Sequence, residues 1–430
     1  MTLLGRKPVF IVVVAVLFTT LFSFFNLNSY CILLLLACRL FLDGPVTALK
    51  TAFNNKFFLA YFAFCLIETA GLLHTHNFPT GANAVAKDAT LTVIAFAFCA
   101  GPFANESEYR RLITVYSLLV FSASFYCLVM AFRLYFLRKD PSVFFYHPLT
   151  VPISQNAVFY SVYVLFALQF LLFSKGALQI DFLSAKVRKW CRIFLIVFFM
   201  LMIVLLSSKL ILVIALLMLV SFFFHYSWAN KRALVLAGSA GLCLVIGLAF
   251  TDNPVRERFA KMADGDAIPT PQGAFNPGTS FNALQLRALE WRFAIQILHQ
   301  QHAWVFGVSP GDSQDLLNGK YIAANMYIGN PADGPHRKIR GFIGYNFHNQ
   351  FIETLVRSGI IGLISLLVIF FLLAGMAWQW KTKETFFTVI TLVAFFIPQS
   401  PLTMQHGVFL FCFFPLLLLY SPKGSTAPSH

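Results

Sequence analysis

Apolar residues dominate this chain in long runs that are separated by short polar breaks. Such runs predict membrane-spanning helices, because a helix needs roughly 20 apolar residues to cross a bilayer and satisfies its own backbone hydrogen bonds in lipid. The pattern predicts twelve spans, near residues 8–26, 29–43, 57–74, 88–104, 112–136, 152–174, 193–207, 210–228, 233–250, 350–377, 385–398 and 405–421. Two of the shorter runs fit re-entrant segments as well.

One polar stretch, from Thr251 to Phe347, is far longer than the other breaks. Pro, Gly and Asn recur in it, which favours loops alternating with short helices, and a loop of this length usually carries function. We therefore predict an all-α integral membrane protein. Its parts are nine spans in residues 1–250, a large polar loop in 251–348, three spans in 349–421 and a cytoplasmic tail in 422–430.

The positions of lysine and arginine predict the orientation of the chain, because cytoplasmic loops are enriched in both residues. Alternating spans bring most basic breaks to one side, namely Arg6, Lys7, Lys50, Lys56, Arg110, Arg111, Lys175, Lys186, Arg188, Lys189, Arg192, Lys231, Arg232, Lys381, Lys383 and Lys423. With that side in the cytoplasm, the long loop lies on the opposite face of the membrane.

Composition supports the same class of protein. Hydrophobic residues make up 58% of the 430 positions, charged residues only 11%, and the mean hydropathy is +0.74, which excludes a soluble globule. The net charge of +15 suits an anionic lipid surface and does not imply nucleic-acid binding. All eight cysteines lie in or beside apolar runs, with no CxxC metal pair.

A polar cluster opens the tenth predicted span at His348-Asn349-Gln350-Phe351. Histidine is the only side chain whose unperturbed pKa lies near neutrality, so His348 at a membrane surface is a candidate general base. Glu353 and Arg357 follow at a spacing of four, which predicts either a structural ion pair or a role for Glu353 in orienting this helix or a neighbouring base. Gly359 and Gly362 predict close helix packing.

The segment 282–298 of the long loop has apolar residues at helical spacing. Arg287 and Trp291 share one face of this predicted helix, and Glu290 lies on the neighbouring ridge. An interfacial amphipathic helix, with Arg287 reaching to the surface and Trp291 as an interfacial aromatic residue, explains the pattern equally well.

Two further basic groups fall on the predicted outer face. Lys209 stands in a tight turn between two spans, where it is either a phosphate ligand or an ordinary lysine at a helix end. The second group lies in the loop before the sixth span and comprises Arg133, Arg138, Lys139, Tyr146 and His147. Positive charge on this face runs against the usual bias, and it predicts an anionic ligand such as a diphosphate.

Together these motifs resemble the bacterial O-antigen ligase and polymerase superfamily. The resemblance rests on Arg287 to Trp291, on Phe306 to Asp312, on His348 to Gly362 and on Ser208-Lys209, together with the twelve-span topology. It implies a glycosyltransferase architecture of the GT-C-like kind in the bacterial inner membrane, with its active site facing the periplasm.

The resemblance implies transfer of a glycan from undecaprenyl diphosphate to a sugar hydroxyl of lipid A-core, with inversion and without a metal or other cofactor. His348 would be the base, and Arg287 and Lys209 would bind the diphosphate. Trp291, Asn349 and the second basic group would contact substrate. Lys209 departs from the arginine common at its position, so it would act as a point charge.

Several alternative functions fit the same sequence features. O-antigen polymerases and protein O-oligosaccharyltransferases share the same donor, although polymerases more often have two large outer loops. A flippase or other transporter should instead place polar residues near mid-membrane and show paired halves. The HxxH spacing of His299 and His302 is a weak zinc signal without a carboxylate. Gln399 stands where some relatives carry glutamate. Sugar identity, polymer length and oligomeric state are not predicted.

Overall fold

Every regular element in the part of the chain that the structure describes is helical. The computed structural model describes residues 7–101, 105–174, 178–180, 183–226, 275–279, 281–329 and 341–420. The predicted span at 233–250 and the tail at 422–430 lie outside these ranges.

Among the described residues, ten helices precede the long loop. They are α1 Lys7–Leu21, α2 Phe25–Asp43, α3 Pro45–Phe53, α4 Lys56–Ala70, α5 Phe78–Cys99, α6 Glu106–Arg138, α7 Tyr146–Thr150, α8 Ala157–Phe173, α9 Ala185–Leu206 and α10 Lys209–Tyr226. The later helices are α11 Ala283–Gln300, α12 Ser313–Ala323, α13 Gln350–Trp380, α14 Lys383–Phe396 and α15 Gln405–Leu417. Short 3-10 turns lie at Gly71–His74, Pro141–Phe144, Val151–Ile153, Pro401–Thr403 and Leu418–Tyr420.

Each predicted span other than 233–250 overlaps a helix, although the run at 8–26 extends past α1 into the start of α2 and α5 begins ten residues before the run at 88–104. In the ranges that the structure describes, six helices are long and apolar enough to cross a membrane, and a seventh span results if α7 and α8, which are bent by 79° at their break, count as one. Shorter apolar helices lie at Pro8–Leu21, Lys209–Phe224 and Gln405–Tyr420. The chain is therefore an α-helical, multi-pass membrane protein, and the number of twelve spans stays a prediction.

Contacts between loops agree with helices that alternate in direction. We call the face that carries residues 281–349 the outer face. Contacts on that face join Ser23 to Ser154, His76 to Asp312, Gln155 to His406 and Asn349 to Ser400. Contacts at the opposite ends of the helices join Thr114 to Gln179, Ser174 to Glu384 and Ser221 to Lys383.

The centre of the bundle is formed by α8 and α15. Residues 159–172 of α8 and residues 406–417 of α15 are all buried, as expected for helices that are apolar on every side. Aromatic rings fill the space between them, and Phe166 stacks on Phe414 with ring centroids 4.2 Å apart. Tyr163 donates its buried hydroxyl to the carbonyl of His406 at 3.2 Å, so the core leaves this polar group satisfied.

The long loop contains a smaller core of its own. Leu289, Phe293 and Ile297 of α11 are buried in one cluster with Leu317 and Tyr321 of α12. The same cluster includes Phe347 and Val356, which belong to the start of α13 and the residues before it. Apolar packing thus fixes the loop helices to the outer end of a membrane helix.

Gly359 interrupts α13, which corrects the prediction that this glycine serves close packing between helices. Its φ of 64° and ψ of −164° are non-helical, and only glycine adopts such angles readily. The break leaves backbone N–H and C=O groups of α13 without partners in the helix, and the loop forms hydrogen bonds with them. Val308 donates to the carbonyl of Val356 at 2.8 Å, and Ile360 donates to the carbonyl of Trp304 at 2.9 Å. Gly362 lies against Ser358 and Thr354 of its own helix.

Replacement of Gly359 by alanine should destabilise the protein. A Cβ atom there would lie 2.2 Å from the carbonyl oxygen of Val305, in addition to the strain of a positive φ, which costs about 1–2 kcal/mol. We expect a lower midpoint of thermal unfolding for the detergent-purified protein. Gly375→Ala in the same helix is the control, because nothing lies within 4 Å of its added Cβ. Equal midpoints for the two variants would contradict this account of the break.

Candidate functional site

A histidine and a buried glutamate form a hydrogen-bonded pair at the outer end of α13. The Nδ1 atom of His348 lies 2.9 Å from Oε2 of Glu290, a residue of α11 that is fully buried. The other carboxylate oxygen of Glu290 accepts the hydroxyl of Tyr321 at 3.1 Å. Since the carboxylate is an acceptor, Nδ1 carries the proton and Nε2 presents its lone pair. The side chain of His348 is 26% exposed, which leaves it accessible to a substrate.

The backbone around His348 is held by three separate contacts. Trp291 donates its indole N–H to the carbonyl of Phe347 at 3.0 Å, and Glu353 lies 3.4 Å from the amide nitrogen of Phe347 and accepts its hydrogen bond. His348 itself has a φ of 46° and donates its amide to Asn346 at 3.0 Å. Glu353 and Trp291 therefore both contact the segment that carries the histidine, and the orienting role of Glu353 stays a prediction.

Burial dominates the electrostatics of α11 at this point. Loss of solvent raises the pKa of Glu290 above its ordinary value, and the hydrogen bond from His348 opposes part of that rise. Burial also raises the pKa of Tyr321, so its hydroxyl stays a donor. The buried carboxylate of Glu290 is thus stabilised by a donor on each of its oxygens, His348 on one and Tyr321 on the other.

Arg287 lies one turn before Glu290 on the same helix. Burial lowers its pKa, and the nearby side chains of Glu290 and Tyr146 oppose that change. The guanidinium remains charged, because arginine stays protonated in proteins. Its Nη1 atom donates to the carbonyl of Ala283 at 3.2 Å, whereas its buried Nε atom has no hydrogen-bond partner among the described residues. A buried donor of this kind is suited to an anionic oxygen.

Lys209 begins α10, directly after the outer end of α9. Ser207, which adopts a left-handed conformation with a φ of 51°, and the buried Ser208 form the turn between the two helices. The short helix α7 packs against α9, and its first residue, Tyr146, is close enough to Arg287 to influence the pKa of its guanidinium. Tyr146 is therefore the member of the second basic group that lies beside the α11 site.

The other members of that group occupy different positions from those predicted. Arg133 and Arg138 lie on the last turns of α6 rather than in a loop, and both are exposed. Lys139 ends α6, with its Nζ atom 5.5 Å from the ring centroid of Phe136. His147 accepts the amide of Ala157 at 3.3 Å, which joins α7 to α8. In the described residues, no hydrogen bond or ion pair links these four side chains to the Glu290–His348 pair.

Asn349 caps α13. Its side-chain oxygen accepts the amide of Ile352 at 3.1 Å, and its own amide donates to the hydroxyl of Ser400 at 3.1 Å. Ser400, next to Gln399, is thus the residue of the last outer loop that supports the start of α13. Substrate contact by Asn349 stays a prediction, and the geometry gives this side chain a structural task.

Arg357 pairs with two other acids instead of Glu353, which corrects the predicted ion pair. Its Nη2 atom lies 2.7 Å from Oε2 of Glu68 in α4 and 2.7 Å from Oδ2 of Asp88 in α5. All three side chains are almost fully buried, and Ser358 donates its hydroxyl to Glu68. Gly359, the next residue, begins the break, so this network lies where the helix, the two neighbouring helices and the loop meet.

A second anchor joins the long loop to the first outer loop. Asp312 accepts the amides of His76, at 2.9 Å, and Asn77, also at 2.9 Å. Burial would raise the pKa of Asp312, but these backbone donors outweigh that effect and hold it below its usual value. A cavity of about 650 Å³ opens beside this contact, lined by His74, His76, Asn77, Pro79, Gln301, Ala303, Gly307, Val308, Asp312, Asp315 and Leu316.

Comparison with known families decides the class of this site. Residues 193–367 match the family model described as O-antigen ligase. The match supports membership of the chain in the O-antigen ligase superfamily. The matched region includes Lys209, Arg287, Glu290 and His348, whereas Glu68 and Asp88 lie before it. A search of curated proteins finds no match. Superfamily membership, which the motifs predicted, is thereby confirmed, and with it an enzyme of the glycosyltransferase-like kind.

Sequence reasoning missed Glu290 as the partner of His348. The signal was present, because Glu290 stands on the apolar stripe of its helix, between Leu286, Leu289 and Phe293, where a carboxylate is costly without a partner. Glu68 and Asp88 were missed for a similar reason. They are isolated acids at the ends of apolar runs, and such acids in membrane helices mark buried pairs.

Replacement of Arg357 by glutamine should strongly destabilise the protein. Glu68 and Asp88 would then be buried without their cation, at a cost of about 3–5 kcal/mol. We expect a large fall in the unfolding midpoint, measured in detergent. Arg292→Gln, on the exposed side of α11, is the control and should leave the midpoint unchanged.

A triple variant distinguishes the effect of the unpaired buried charges on stability from the effect of the altered side-chain shape. Arg357→Gln together with Glu68→Gln and Asp88→Asn removes the whole network and should recover part of the lost stability, because no uncompensated charge remains. If the triple variant were less stable than Arg357→Gln alone, buried charge would not be the cause of the effect.

Proposed function

We propose that this chain is an O-antigen ligase that transfers a glycan from a lipid diphosphate to a sugar hydroxyl of lipid A-core. The observation that carries the proposal is the Glu290–His348 pair beside the partly buried Arg287, within the region that matches the family. A proton acceptor and a diphosphate-binding cation are the two groups that this reaction needs. The donor lipid, undecaprenyl diphosphate, the lipid A-core acceptor and the periplasmic location are parts of the proposal.

His348 acts as the base in this proposal. The acceptor hydroxyl gives its proton to Nε2 of His348 while its oxygen bonds to the anomeric carbon of the donor sugar. The bond between that carbon and the diphosphate oxygen breaks, and the configuration inverts. Glu290 holds the imidazole through Nδ1 and stabilises the imidazolium that forms, as the carboxylate does in a catalytic triad.

Arg287 and Lys209 bind the leaving diphosphate. Negative charge grows on its oxygens as the bond to the sugar breaks, and a preorganised cation in a desolvated position stabilises that charge. Arg287 offers a planar fork with a buried Nε donor, and Lys209 a point charge at the start of α10. Because side chains supply this charge, the proposal requires no metal ion, and EDTA should leave the rate unchanged.

The assignment of His348 and Glu290 is tested with purified protein and lipid-linked donor. His348→Ala should lower the turnover number by about 10²–10⁴-fold, the usual contribution of a general base. Glu290→Gln should lower it by at least about tenfold with little change in donor KM, because the amide cannot stabilise the imidazolium. The readout is the rate of glycan transfer to lipid A-core in vesicles.

The matched control is His299→Ala, an exposed histidine in the last turn of α11. It should transfer glycan at the wild-type rate. Full activity of His348→Ala, in protein that elutes as a single folded species, would remove His348 from the reaction.

The diphosphate contacts are tested at Lys209 and Arg287. Lys209→Arg keeps the charge and adds a fork, so it should retain transfer, whereas Lys209→Gln should weaken donor binding about tenfold or more. Arg287→Lys should raise donor KM because it loses the bidentate geometry. Arg292→Lys, five residues further along α11 and exposed, is the control for Arg287. Equal KM values for Lys209→Gln and wild type would exclude Lys209 from the donor site.

A gene-deletion strain distinguishes the ligase from its nearest alternative. Complementation with wild type or His348→Ala is followed by a lipopolysaccharide gel and extraction of lipid-linked glycan. Bare core with accumulated long lipid-linked polymer supports a ligase. A single repeat unit on the core would instead indicate a polymerase, and an unchanged ladder would exclude the chain from this pathway.

A further inference from the structure

Three consecutive apolar side chains are exposed at the tip of the loop that follows α11. Trp304 is 44% exposed, Val305 49% and Phe306 67%. Large apolar residues rarely occur side by side on a surface that faces water only, and such a patch marks an interaction surface. We refer to residues 304–306 as the apolar tip.

The position of the apolar tip is fixed by backbone hydrogen bonds to α13. The carbonyl of Trp304 accepts the amide of Ile360 at 2.9 Å, and the carbonyl of Val305 is 3.4 Å from the amide of Ile361. Gly359 and Gly307 allow this close approach, since an added Cβ at either would meet backbone atoms of the other segment within 2.4 Å. The tip therefore cannot move away from the membrane helix without breaking these bonds.

The part of α13 that follows Gly359 is long enough to cross the hydrocarbon core of a bilayer by itself. From Gly359 to Trp380, α13 has about 22 residues and, at about 1.5 Å each, is about 33 Å long, which matches the thickness of the hydrocarbon core. The residues before Gly359 include the buried Gln350, Glu353 and Arg357, whereas the residues after it are apolar except for Ser365 and Gln379. The tip is thus held where lipid begins.

The surface next to the tip is already a lipid-facing surface. Ile360, Ile361 and Ile364 of α13 are exposed on the bundle, as expected for side chains that contact acyl chains. The apolar tip continues this surface. Tryptophan also prefers the interface between lipid and water, where its ring is buried and its N–H is hydrated.

We propose that Trp304, Val305 and Phe306 insert into the outer leaflet of the bilayer and anchor the long loop at the membrane surface. The acyl chains of membrane lipids, in the part close to the head groups, cover these three side chains. The anchor and the bonds at Gly359 together fix the height of α11 over the membrane, and they do so whether or not the chain transfers glycans.

Tryptophan fluorescence tests the proposal with the full-length protein in vesicles of phosphatidylethanolamine and phosphatidylglycerol. The chain has six tryptophans, so the contribution of Trp304 is taken as the difference between wild type and Trp304→Phe. Lipids brominated close to the head group should quench this difference emission more strongly than aqueous iodide does. Stronger quenching by iodide would overturn the proposal, because Trp304 would then face water.

A tryptophan placed elsewhere on the long loop provides the matched control. Ile322 on α12 is 57% exposed and, like Phe306, is a large apolar residue of the same region. In the Trp304→Phe background, Phe306→Trp should add emission that brominated lipid quenches, and Ile322→Trp should add emission that iodide quenches. If both added tryptophans responded to iodide alone, the tip would not contact lipid.

Discussion

The ion pairs of Arg357 join the membrane bundle to the loop that carries the candidate site. Its side chain contacts Glu68 of α4 and Asp88 of α5, and its backbone carbonyl accepts the amide of Ser309 at 3.0 Å. One residue therefore connects three membrane helices and the outer loop. The contacts of Glu290 with His348 and of Trp291 with Phe347 join α11 to the start of α13, and the charges around Arg357 fix that helix to α4 and α5.

Burial of these charges costs free energy, so their presence needs an explanation other than stability alone. Apolar residues of similar size would often give equal or better stability at a buried ion pair, so the network is better explained by geometry than by stability. The break at Gly359 follows two residues after Arg357, and it exposes the carbonyls that the loop uses. A regular helix would have bonded those carbonyls internally, leaving the loop no backbone partner there.

Much of the fold was predictable because hydrophobic periodicity and length report spanning helices directly. The runs at 57–74 and 350–377 correspond to α4 and the greater part of α13. The pairing of Arg357 was not predictable, because Glu353 stands at the favoured spacing on the same helix, whereas Glu68 and Asp88 are 289 and 269 residues away in sequence. Long-range contacts leave no periodic signal.

The candidate site was predictable in its types of residue and only partly in its partners. His348 and Arg287 were identified from motif and resemblance. The spacing of residues along the sequence could not show that Glu290 of α11 lies next to His348 at the start of α13. In the proposed reaction, positive charge grows on the histidine while negative charge grows on the leaving diphosphate. Glu290 and Arg287 lie three apart on α11, about 5–6 Å between Cβ atoms. The helix α11 thus holds a carboxylate beside the histidine and a guanidinium for the diphosphate, and it keeps these two groups at a fixed distance from each other.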